Sequence, residues 1–150
     1  MYGSHQQGLT TVEFSIVGLL VLTLLFASLE FGRIIFTLNV LQEGARRAAR
    51  VAAVCPVGDA KITEVAMLAP LPGLSATNVA TEYLDAGGSA LADPANASYG
   101  QIRYVRVRIV NYAFAIVIPL VPKTFNVPEF SSTLPRESLG VPRFGEAAAC

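Results

Sequence analysis

The longest apolar run, Leu9 to Leu29 (LTTVEFSIVGLLVLTLLFASL), governs the reading of the whole chain. At 1.5 Å per residue, about twenty helical residues cover the roughly 30 Å hydrocarbon core of a bilayer, so this run predicts a spanning helix. Its strictly uncharged part, Phe14 to Leu29, covers only about 24 Å. A full span therefore takes in Glu13 and sets that carboxylate at or inside the membrane edge. Beyond Leu29 the helical pattern continues. Glu30 and Arg33 stand i,i+3 and can neutralise each other at the outer membrane surface, while Ile34, Leu38, Leu41, Ala45, Ala48 and Ala52 extend an apolar stripe. Gln42, Glu43, Arg46, Arg47 and Arg50 fall on the polar side, with Glu43 and Arg47 paired i,i+4. Pro56 ends the pattern. The expectation is one helix from about Leu9 to Val54, with a transmembrane half over 9–30 and an amphipathic continuation over 31–55.

The remainder, 56–150, reads as one small α/β domain. A short helix is expected at Asp59 to Leu68, followed by a Pro/Gly loop and a strand at Asn78 to Leu84. After the turn-rich Ala86 to Gly100 stretch, Gln101 to Val110 gives the clearest strand: Val105, Val107 and Ile109 alternate with Arg106 and Arg108. Past Asn111 the bulky residues change parity to Tyr112, Phe114, Ile116 and Ile118, which predicts either a bulge or a strand buried on both faces, ended by Pro119 and Pro122. A last strand is expected at Glu129 to Leu134. The predicted fold is α+β and pilin-like: a long N-terminal helix whose outer half packs on a small antiparallel sheet.

Composition agrees with an anchored chain: 53% hydrophobic, 15% charged, and mean hydropathy +0.51. Acidic and basic residues balance and no broad basic stripe with aromatics exists, so nucleic acid is not an expected partner. The single histidine, His5, precedes the helix, leaving no Ser-His, Cys-His or His-Cys ligand set in the domain. No enzymatic activity, metal or cofactor is expected. Glu82 and Asp85 are the nearest approach to an acid–base pair, and scattered surface acids are usually solvated. Gly18, Gly32 and Gly44 do not form a GxxxG pattern. Cys55 and Cys150 are open to two readings, a bridge or two unpaired thiols. Pairing is the first hypothesis, closing a loop worth about 4–5 kcal/mol on chain-entropy grounds. Ala113 to Val121 is too short for a second span and is expected in the core or at a subunit contact.

The junction Gln7-Gly8-Leu9-Thr10-Thr11-Val12-Glu13-Phe14 resembles the prepilin cleavage motif, in which a membrane-embedded aspartic peptidase cuts after a glycine and the fifth mature residue is glutamate. With LEFGR at Leu29 to Arg33 and QEGARRAARVAAV at Gln42 to Val54, the first third of the chain resembles the TadE-like minor pilins of tight-adherence (Tad, type IVc) pilus systems. The resemblance implies a leader over 1–8, processing between Gly8 and Leu9, and pairing of Glu13 with the freed amine of Leu9, its own or a neighbour's. It also implies a role in pilus assembly, with the prepilin peptidase, the inner-membrane assembly platform, membrane lipid and other pilin and minor pilin subunits as partners. A plain alternative for Glu13 is that it reaches the cytoplasmic headgroups unaided. The implied topology is single-pass in the bacterial inner membrane, with a cytoplasmic N-terminus and a periplasmic domain, and incorporation in the extracellular pilus is a further implication. One feature opposes it: no Lys or Arg precedes the span while Arg33, Arg46, Arg47 and Arg50 follow it, contrary to the positive-inside rule. An altered start at Gly3-Ser4-His5 would reconcile the two. The second reading is a signal-anchored periplasmic binding or adhesion domain that never polymerises.

Overall fold

A computed structural model of the chain describes residues 7–68, 71–96, 98–117, 124–141 and 150. Its first element, α1 (Gln7–Val54), is one helix of 48 residues, about 72 Å long. It begins at Gln7 rather than Leu9; of the leader expected over 1–8, residues 1–6 lie outside the described residues. The two halves differ in what they touch. From Thr10 to Leu29 the side chains are exposed on every face, Gly18 alone being intermediate. From Leu41 onward, Leu41, Ala45, Ala48, Ala49, Ala52 and Ala53 are buried against the domain. Small side chains on this stripe let the sheet approach the helix closely, while the arginines stay on the far side.

After Pro56 a short helix, α2 (Ala60–Ala66), starts where the Asp59 carboxylate accepts the Lys61 N–H at 2.8 Å. Strands β1 (Val79–Leu84), β2 (Tyr104–Ile109) and β5 (Phe130–Pro135) form an antiparallel sheet in the order β1-β2-β5. Register sets Glu82 opposite Arg106 and Thr133 across it. Val105, Val107 and Ile109 face inward, as their alternation requires. Val105 and Val107 join Ala48, Ala49, Ala52, Ile62 and Tyr83 in the main core. The fold is thus α+β, with a long helix on a small antiparallel sheet.

The parity change after Asn111 has a different cause from either predicted one. Asn111 takes a left-handed conformation (φ 55), held by Asn78, whose amide donates to the Val110 and Asn111 carbonyls at 3.1 and 3.2 Å. The chain thereby leaves the first sheet. Ala113–Ala115 becomes β3, paired antiparallel with β4 (Thr124–Asn126) in a separate two-stranded sheet. Phe114 is buried while Ala113 and Ala115 are exposed, so β3 buries one face, not two. Ile118, Pro119 and Pro122 lie outside the described residues. Strand β2 is also shorter than expected, because Tyr99–Gln101 forms a 3-10 turn.

Candidate assembly and processing site

The N-terminal half of α1 carries the residues singled out in sequence. Gly8 and Leu9 lie in its first turn, where backbone N–H groups lack intrahelical partners and glycine is a poor helix former. Glu13 follows Leu9 by four residues, about 6 Å along the axis, and is exposed. Sequence reasoning passed over how the hydroxyls of this half are satisfied. Ser15 donates to the Thr11 carbonyl, Thr23 to Leu19 and Ser28 to Leu24, at 2.7–2.8 Å. Each hydroxyl is thus satisfied by its own helix, which is what a hydrocarbon surrounding demands. Among the described residues one helix is long and apolar enough to cross a membrane, and none of them buries its most apolar window.

Glu30 and Arg33 form the predicted ion pair at 2.8 Å, but not as an exposed surface pair. Glu30 is only 7% exposed, and its Oε1 has no hydrogen-bond partner among the described residues. The Arg33 guanidinium lies over the Phe114 ring, 5.1 Å from its centre, so the pair joins α1 to the β3–β4 hairpin. Farther out, Arg47 meets Glu43 at 2.7 Å, and this hydrogen bond holds the Glu43 carboxyl below its ordinary range. Gly44 is where α2 crosses: a Cβ there would stand 2.6 Å from the Ala66 carbonyl oxygen.

The outer end of α1 is closed by the tail. Cys55 and Cys150 are bonded, with Cα atoms 5.8 Å apart, as the first hypothesis held. The N–H groups of Glu137 and Leu139 donate to the Ala53 carbonyl, while Gly140 N–H and Ser138 hydroxyl donate to that of Val54. Helix carbonyls that would otherwise be orphaned are therefore capped by a segment more than eighty residues away in sequence. Gly140 is positive in φ, and a Cβ there would stand 2.5 Å from the Pro56 Cγ, so no larger residue fits.

The carboxylates considered for acid–base work are engaged elsewhere. Glu82 takes Arg108 at 2.5 Å and Arg106 at 3.8 Å on the outer sheet face, and Arg108 also reaches Glu129 at 3.2 Å. Asp85 accepts the N–H groups of Gly87 and Ser89 in a turn.

No curated protein and no solved structure matches the chain. Residues 8–50, from the glycine in the first turn of α1 almost to the helix end, match the family described as TadE-like protein. Over that helix the chain is similar to TadE-like proteins.

Proposed function

We propose that the chain is a minor pilin or pseudopilin of a Tad-type (type IVc) pilus, cut after Gly8 by a prepilin peptidase and acting in pilus assembly, priming or as a minor filament subunit, without catalytic activity of its own. The observation that carries this reading is the coincidence of the family match, which opens at Gly8, with a helix on which Glu13 stands one turn beyond Leu9 in an apolar surround. A charge carried to mid-bilayer costs on the order of 3 kcal/mol on insertion scales, so an acidic residue in a span needs an interface or a partner. Cleavage supplies the partner: the new ammonium of Leu9, or that of a neighbouring subunit. The uncut leader withholds this amine, so processing and assembly are coupled through one ion pair. Its partners are the peptidase, the assembly platform of the inner membrane and other pilin subunits.

The periplasmic side suits the domain, because a bonded Cys55–Cys150 pair persists in an oxidising compartment. That chemistry outweighs the arginines after the span, three of which lie on the outer amphipathic half, well beyond the membrane edge. Cells carrying Glu13→Ala test the proposed role. The variant should be cut normally and remain in the membrane, yet pili sheared from those cells should be scarce or lack it. Normal piliation with the variant present would refute the role of Glu13.

A further inference from the structure

The β3–β4 hairpin extends along α1 toward its apolar half. Ile109, just before the hairpin, sits at Gly44, its Cδ1 3.6 Å from where a Cβ would be, and Phe114 sits beneath Arg33. From Gly44 to Arg33 the helix descends about 16 Å. Arg33 in turn stands only about 6 Å above Leu29, the end of the uncharged run. The three residues after Phe114 cover about 10 Å in extended form, enough to bring Val117 to the level of that run.

The described surface at this height is apolar apart from Arg33, whose half-exposed guanidinium is paired with Glu30 and laid over the Phe114 ring. Val117 is 68% exposed and Phe125, opposite Phe114 in the hairpin, 53%. No described residue of the hairpin, 113–117 and 124–126, is charged. On α1, Phe31 and Phe36 are exposed at 67% and 62%, whereas Glu30, which would break the surface, is turned under and buried. A cleft of about 310 Å³ between Phe125 and Ile34 and Leu38 links hairpin and helix. The exposed face of the hairpin is thus continuous with the face that α1 offers to hydrocarbon, and a lipid surface is the occupant such continuity selects.

We propose that the β3–β4 hairpin is a second membrane contact, seated in the interfacial layer of the leaflet from which the domain emerges. The domain is then held by two elements, a spanning helix and a monotopic hairpin. Leaving the membrane for a filament would require releasing both. This inference rests on α1 spanning the bilayer, and its test separates the two claims.

The chain has no tryptophan, so single substitutions report depth. Full-length Val117→Trp and Phe125→Trp are reconstituted in phosphatidylcholine/phosphatidylglycerol vesicles, with and without phosphatidylcholine brominated high on its acyl chains. Phe26→Trp marks the span and Tyr104→Trp, on the outer sheet face, marks water. Retention of the Cys55–Cys150 bond, read by mass, verifies the domain in each variant. The expected result is blue-shifted emission and bromine quenching at positions 117 and 125, with little at 104. Quenching at 26 but not at 117 and 125 overturns the hairpin contact while leaving the span intact. No quenching at 26 overturns the span and the contact with it. A blue shift at 117 and 125 that bromine does not quench, and that appears only as protein is crowded into the vesicles, means a second copy covers the hairpin and also overturns the proposal.

Discussion

At Gly44 two residue-scale effects oppose each other. Alanine in a helix interior is favoured over glycine by about 1 kcal/mol, but a methyl 2.6 Å from the Ala66 carbonyl oxygen must push α2 away, and such overpacking costs about 1–3 kcal/mol. Steric cost wins because the obstacle is backbone. Gly44→Ala should therefore lower the urea midpoint of the full-length chain in detergent, whereas Gly32→Ala, with open space around it, should not. Equal midpoints for the two variants would contradict the close crossing. The glycine's role was not legible in sequence, since its partner lies on another helix and no repeat spacing marks it.

Two buried phenols make a second residue-scale prediction. Burial pushes the Tyr83 hydroxyl above its ordinary value, partly opposed by the Gly58 N–H donated to it, and burial also raises Tyr112, which donates to the Pro72 carbonyl. A raised folded-state value means that the stability is fully present below the unfolded value of about 10 and is lost as pH rises beyond it. Thermal unfolding midpoints should hold from pH 7 to 9 and fall above pH 10, less steeply in Tyr83→Phe. An equal fall in that variant would remove Tyr83 from the account.

At the scale of elements, the tail adds a covalent tie at the outer end of α1 to the packing of its alanine stripe on the sheet. The cross-link spans 95 residues, so its loss should cost on the order of 4–5 kcal/mol on chain-entropy grounds. Cys55→Ser and Cys150→Ser should lower the urea midpoint equally, and reductant should bring the parent chain to the same value. A parent chain insensitive to reductant would show that the backbone caps from residues 137–140 suffice alone. Sequence left the pairing open because proximity of the cysteines depends on β5 lying beside β2, which returns the tail to the helix end. The alternation in β2 and the apolar stripe on α1 were legible because each follows from a local period. The departure of β3 into its own sheet was not. It turns on Asn111 adopting a left-handed backbone fixed by Asn78, a contact across more than thirty residues that alternation does not encode. Likewise Glu30 and Arg33 were legible as a pair, but the burial of Glu30 and the seat of Arg33 over the distant Phe114 ring were not.

For the whole molecule, one helix joins two environments. Its first half offers apolar side chains on every face with the Ser15, Thr23 and Ser28 hydroxyls turned onto its own backbone, and its second half offers a narrow stripe of small residues to a disulfide-closed domain. Under the proposed function the first half serves twice, in the bilayer and against neighbouring subunits. What converts one state to the other in this account is the cut between Gly8 and Leu9, which creates the amine that Glu13 awaits. The most direct measurement is the N-terminal mass of the chain recovered from cells with and without a prepilin peptidase. The account predicts a chain beginning at Leu9 in the first and one retaining the residues before Leu9 in the second. The same uncut N-terminus in both would contradict it.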